Sequence, residues 1–231
     1  MPVPLVLLPG MMCDARLFAP QIAALSQDHA IHVAPLTAHD TTAALAAEVL
    51  VHAPPRFALA GLSMGGIVAM EIMARAPARV TRLALLDTNP CAELPEVRAR
   101  RAPQIAAAAK GNLARVMRDE MKPNYLAESP AKPAILDLCM DMAMTLGPDV
   151  FIRQSIALRD RPDRQDTLRG VTVPTLVLCG AEDRLCPPAR HHLMHALIPG
   201  SDLLILPDAA HLPTLEQPKA TTAALRNWLN A

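Results

Sequence analysis

Short, mainly apolar runs alternate along this chain with longer segments whose apolar residues recur at helical spacing. Leu5-Val6-Leu7-Leu8 is the first run and stops at Pro9-Gly10. Ala30–Pro35, Phe57–Ala60, Val80–Leu86, Val173–Cys179 and Leu203–Leu206 repeat the pattern. Runs this short, apolar on both faces, predict strands of a parallel sheet covered by helices on either side. The intervening segments Pro20–Leu25, Thr41–His52 and Ile67–Ala74 read as those helices, and Thr214–Leu229 as a terminal one with Pro218 near its start. From Cys91 to about Gly170 the strand pattern lapses and only helical periodicity is left. The expectation is an α/β core made of residues 1–90 and 170–231, interrupted by a helical lid at 91–169 that lies over the carboxyl ends of the strands, where open α/β sheets place ligands.

Chemistry enters at Gly61-Leu62-Ser63-Met64-Gly65. A buried strand that runs into G-x-S-x-G and then into a helix is the context of a nucleophile elbow. The turn forces the serine into a strained conformation, and Gly61 and Gly65 lack the Cβ atoms that would collide there. Ser63 is therefore the candidate nucleophile. Asp183 follows the next-to-last strand in Gly180-Ala181-Glu182-Asp183, and His211 follows the last in Asp208-Ala209-Ala210-His211. Both loops lie at the same end of the sheet as the elbow. His211 suits a general base and Asp183 the group that orients it. The Met64 amide, just after the nucleophile, and the Met11 amide, in the turn after the first strand, are the expected oxyanion donors.

These motifs, together with His211-Leu212-Pro213-Thr214-Leu215-Glu216-Gln217-Pro218, resemble the α/β-hydrolase-fold serine hydrolases. Among them the chain is similar to small carboxylesterases, 3-oxoadipate enol-lactone hydrolases and the pimeloyl-carrier-protein methyl ester esterase. The Ser63, Asp183, His211 order is the one found in that fold. The resemblance implies an α/β-hydrolase fold with a mainly parallel sheet of about six strands, and an ester hydrolase working through an acyl-enzyme. The chain departs from the family in having Pro9-Gly10 where His-Gly is common, and in starting at the first core strand without the usual leading hairpin. Some members draw the acid from the strand end occupied here by Asp87, which is the alternative to Asp183.

Composition narrows the field. Lysine plus arginine and aspartate plus glutamate each number 22, so no net field recruits nucleic acid or an anionic membrane. Five cysteines, an odd number without close spacing, favour reduced thiols and a cytoplasmic setting. Met1-Pro2-Val3-Pro4 has no basic n-region, so no signal peptide is expected. Cys13 and Cys186, near the expected pocket mouth, read as buried thiols. His191, His192 and His195 read as a solvated helix face and not a metal site, since the H-E-x-x-H glutamate is missing. Arg98, Arg100 and Arg101 also read as a solvated face. Leu136, Leu138, Met140, Met142 and Met144 read as core packing, and the acyl site is expected to be aliphatic.

The reading is a serine hydrolase of a small-to-medium carboxylic ester, with no metal or organic cofactor, and a small-molecule ester or lactone as its partner. An enol-lactone, a thioester or a C–C bond stays open as the bond cleaved. So does a non-catalytic ligand-binding protein of the same fold, although a binder has no need of the full triad. Ser63 stands where a dehalogenase or epoxide hydrolase carries a carboxylate.

Overall fold

A computed structural model describes residues 2–231. The six apolar runs form one sheet: β1 (Leu5–Leu8), β2 (Ile31–Val33), β3 (Phe57–Leu62), β4 (Val80–Leu86), β5 (Thr175–Gly180) and β6 (Asp202–Leu206), in spatial order β2-β1-β3-β4-β5-β6. Every pairing is parallel. β1, β3 and β5 are buried along their whole length, which is why they read as continuous apolar runs. Alternate side chains feed two cores. Val6, Leu8, Leu59 and Leu85 pack on one face, with helices Thr42–His52 and Met64–Arg75. Leu5, Leu7, Ala60 and Leu86 pack on the other, with Leu25, Leu225 and Trp228 from helices Ala19–Leu25 and Pro218–Asn230. Among the described residues no helix is long and apolar enough to cross a membrane.

The segment after β4 is helical, as its periodicity predicts. Helix Pro95–Ala109 packs against the long element Lys132–Arg159, which breaks at Gly147 (φ 80°) ahead of Pro148. Met142 is fully buried and Leu136, Leu138 and Met140 pack against the cores, as expected of that run, but Met144 is exposed, because it lies on the outward face of the helix. The terminal helix differs from its expectation. It is divided into Pro213–Glu216 and Pro218–Asn230, with Gln217 between them at φ −126°, ψ 60°. Pro218 disfavours the helical conformation of the residue before it, and that divides the segment.

Helix Met64–Arg75 sits so close to the sheet that Gly65, in its first turn, has no room for a side chain. A Cβ at Gly65 would lie 1.9 Å from the Leu8 carbonyl oxygen, and one at Gly61 would lie 2.3 Å from the Gly65 carbonyl oxygen. Both obstacles are backbone atoms of buried strands and helix, so they cannot step aside cheaply. Gly65→Ala is therefore expected to lose the cooperative thermal transition or to accumulate insoluble. Gly10→Ala, whose Cβ would meet nothing nearer than 3.5 Å, should melt close to wild type. A Gly65→Ala protein melting within a few degrees of wild type would contradict this packing.

Candidate active site

The close approach of that helix fixes the conformation of Ser63. It sits at φ 55°, ψ −114° between β3 and the helix, a left-handed conformation that costs a non-glycine residue about 1–3 kcal/mol. The Ser63 N–H donates to the Leu86 carbonyl at 2.9 Å, and its own carbonyl accepts from the Thr88 hydroxyl at 2.8 Å. The strained turn is thus held from β4 and the residues just after it.

His211 lies in the loop after β6 and Asp183 in the loop after β5, as their sequence positions predict. His211 Nε2 is 2.9 Å from Ser63 Oγ, and His211 Nδ1 is 2.9 Å from Asp183 Oδ2. The three side chains assigned from sequence are therefore in one hydrogen-bonded line. Asp183 is buried, which opposes its ionisation. The neighbouring His211 and the N–H groups of Cys186 and Leu185 outweigh burial and hold its carboxyl below the usual range.

Asp87 directly follows β4 at φ 43° and is fully buried behind Asp183. Its Oδ1 accepts from the Gly180 N–H at 3.0 Å, while among the described residues its Oδ2 finds no donor. Burial first, and then the charge of Asp183, push its carboxyl well above the usual value. The protonated form of Asp87 is thus favoured beside Asp183, and among the described residues Asp183 is the aspartate hydrogen-bonded to His211.

Met64 directly follows Ser63 and Met11 lines the same cavity, and among the described residues neither amide donates to a protein acceptor. Pro9-Gly10 supports this turn in place of His-Gly. The next residue, Met12, is itself strained at φ 56°, and its N–H is held by Gln154 Oε1 at 2.8 Å. Gln154 in turn donates to the Leu36 carbonyl at 2.8 Å. On the other side Glu216 accepts from the N–H groups of Ala127, Ala210 and Leu212, fixing the loop that carries His211. Sequence reasoning missed Gln154, Thr88 and Glu216 in these positioning roles. Glu216 alone carried a signal, as part of the motif that follows His211.

Two expectations about charged clusters change. His191 is buried, and only His192 and His195 are solvated. His191 Nε2 accepts from the Thr88 N–H at 3.1 Å, so its ring closes the back of the site. Arg98 and Arg100 are exposed, but Arg101 turns inward and pairs with Glu93. The reason is register: Arg101 lies on the face of helix Pro95–Ala109 that points at the pocket. Cys13 and Cys186 also line that pocket, and burial pushes both thiols up, away from the reactive thiolate. Among the described residues, Asp183, Cys186 and His211 are the group whose ligand atoms converge closely enough to suit an ion, and the carboxylate and imidazole are already hydrogen-bonded to each other.

A cavity of about 500 Å³ opens onto Ser63 and His211. Its floor is core sequence (Gly10, Met11, Leu62), and its walls come largely from the helical segment, including Val97, Met121 and Leu158. A strand-end serine in a strained turn, paired to histidine and aspartate under such a cavity, defines the α/β hydrolase class. The alpha/beta hydrolase family model matches residues 5–225, and the chain belongs to that family. It is 30% identical over 188 residues to the pimeloyl-[acyl-carrier protein] methyl ester esterase of Klebsiella pneumoniae (strain 342), covering 77% of this chain and 71% of the relative. Its fold is similar to that of a malate-bound thermophilic esterase from Thermogutta terrifontis, with TM-score 0.89, 27% identity and coverage of 99% of this chain and 89% of that one. It is also similar to the enol-lactonase of Burkholderia xenovorans LB400, with TM-score 0.88 and coverage of 99% and 92%. At 24% identity that likeness bears on the fold alone.

The buried imidazole of His191 gives the fold a pH dependence. Burial lowers its pKa from 6.5 to about 4. Between those values the unfolded chain binds a proton that the folded chain does not, so stability falls as pH drops through that window. The loss is roughly 3 kcal/mol, at about 1.4 kcal/mol per pKa unit. In His191→Gln, whose amide oxygen can still accept from Thr88, urea unfolding between pH 7 and pH 4 should show a slope reduced by nearly one proton. Equal slopes in the two proteins would contradict the assignment.

Proposed function

We propose that this protein is a serine hydrolase that cleaves a carboxylic ester in two steps through an acyl-enzyme. Ser63 Oγ attacks the ester carbonyl while His211 Nε2 takes its proton. The developing oxyanion accepts from the Met11 and Met64 N–H groups, and loss of one such donor costs about 3–4 kcal/mol in comparable sites. As the tetrahedral species collapses, His211 returns the proton to the departing alcohol. Water then repeats the sequence on the acyl-serine and regenerates Ser63. Asp183 holds Nδ1–H toward itself, which keeps Nε2 free to accept, and it stabilises the imidazolium that forms.

The observation that carries this reading is the unbroken line from Ser63 Oγ through His211 to Asp183, with 2.9 Å at each link. The relatives named as esterases support an ester bond. Residues 91–169 serve as a lid in this account, since they supply much of the cavity wall above a nucleophile fixed by the core. The five unpaired thiols accord with a cytoplasmic setting.

Steady-state kinetics on a panel of esters, lactones and thioesters tests both the activity and the bond preferred. Ser63→Ala should abolish turnover of every substrate, with esters the best class for the wild type. A preference for lactones or thioesters would replace the ester reading, and undiminished turnover by Ser63→Ala would remove the nucleophile.

The two aspartates separate in the same assay. Asp183→Asn should lower kcat by about 10⁴, the loss that follows when a triad aspartate becomes an amide and imposes the wrong tautomer. Asp87→Asn is a near-isosteric change at a carboxyl that is not hydrogen-bonded to His211 and whose protonated form burial favours, so the cost should stay within about tenfold, the scale of one hydrogen bond. The reverse pattern would transfer the orienting role to Asp87.

A further inference from the structure

The cavity wall holds more positive charge than the protein neutralises. Glu93 pairs with Arg101 on one side and with Arg161 on the other. The three side chains are 4%, 11% and 8% exposed, so the cluster is almost fully withdrawn from water. Arg161 is fixed further by the carbonyls of Cys91, at 3.0 Å, and Leu158, at 3.2 Å. Cys91 leads on to Arg190, whose Nη1 is 3.2 Å from the Cys91 sulfur. Among the described residues no carboxylate pairs with Arg190. Arg101, Glu93, Arg161 and Arg190 thus form a continuous arc, and all four line the cavity.

Arg101 and Arg161, which stay charged throughout the accessible pH range, share the one carboxylate of Glu93, and the half-buried Arg190 adds a third cation. The other acid at the cavity, Glu120, is partnered by Arg115 at 3.2 Å. Charges taken out of water are stable only when paired, so Arg101 and Arg161 against one carboxylate, with the half-buried Arg190 beside them, have the shape of a site completed by an anion. Its position ties it to the reaction. Arg101 Nη1 lies 3.9 Å from the sulfur of Met11, which lines the cavity with Ser63. The wall expected to be aliphatic is therefore charged beside the reacting carbonyl.

We propose that the substrate is an ester that carries a free carboxylate, bound by the Arg101–Glu93–Arg161–Arg190 arc while Ser63 attacks the ester carbonyl. The planar fork of arginine matches a carboxylate with two parallel hydrogen bonds, and such charge-assisted pairs orient as well as attract. The inference rests on the esterase reading above, but the arc binds its anion whether or not Ser63 reacts.

Two measurements keep those claims separate. In the first, kcat/KM is measured for monomethyl esters of C4 to C8 dicarboxylic acids and for O-butyryl esters of short hydroxy acids. Each is compared with an uncharged ester of equal length. A charged substrate should be favoured by about tenfold or more, the scale of a hydrogen bond to a charged group. The half-esters place the carboxylate in the acyl part and the hydroxy-acid esters in the alcohol part, so the better series identifies the side that meets the arc. In Arg101→Gln and Arg190→Gln the charged-to-neutral ratio should fall toward one, chiefly through KM, and Arg101→Lys should recover only part of it.

In the second, Ser63→Ala is titrated calorimetrically with glutarate and adipate, and with butyrate and inorganic phosphate for comparison. The dicarboxylates should bind more tightly than butyrate, more weakly at high salt, and more weakly again once Arg101→Gln is added. This arm holds even for a protein that hydrolyses no ester, in which case only the catalytic reading fails. Equal use of charged and neutral esters, dicarboxylates binding no better than butyrate, or phosphate binding more tightly than either dicarboxylate would overturn the proposal.

Discussion

The site depends on one close approach, that of helix Met64–Arg75 to β1 and β3. With no Cβ at Gly61 or Gly65, the helix backbone comes within contact of the Leu8 carbonyl, and the chain between strand and helix has a single short path. That path leaves Ser63 at φ 55°, a conformation the residue would not hold alone. The surrounding hydrogen bonds to Leu86 and Thr88 hold it there. A sheet buried on both faces is the rigid support that makes such strain sustainable, and the strain points Oγ out of the core.

The parallel sheet does the rest of the assembly. Because all six strands point the same way, the loops after β1, β3, β4, β5 and β6 open at one end. Met11, Ser63, Asp87, Asp183 and His211 are each within a few residues of a strand's end, so folding alone brings them together. Electrostatics then sorts the two aspartates. Asp183 has His211 and two backbone N–H groups to stabilise its charge, whereas Asp87 has one N–H and a neighbouring carboxylate. Burial raises the pKa of both carboxyls, and it prevails at Asp87, while at Asp183 these partners outweigh it and favour the charged form.

What was legible in the sequence was local. The strand runs are short and mainly apolar, the elbow has its glycines, and Asp183 and His211 lie in the loops that follow strands, so the sheet and the Ser63–His211–Asp183 line could be placed from neighbours alone. Gln154 carries no such signal. It reaches Met12 across 142 positions, and nothing near it in sequence separates it from a solvated helix residue. His191 is hidden for the same reason: its partner, the Thr88 N–H, is 103 positions away. Arg101 sits in a run that looks like a solvated face, and only the packing of the helical segment shows that one of its three arginines turns inward to Glu93. The division at Gln217 was within reach, since Pro218 was in view, but the apolar periodicity on either side of it suggested one continuous helix.

The central claim is that this geometry makes Ser63 a nucleophile. A fluorophosphonate reacts only with a hydroxyl activated by its surroundings, and peptide mass spectrometry locates the adduct. The account predicts one adduct per chain, on Ser63, with the rate of labelling sharply reduced in His211→Ala although Ser63 remains. Labelling at another serine, or an unchanged rate at Ser63 without His211, would contradict it.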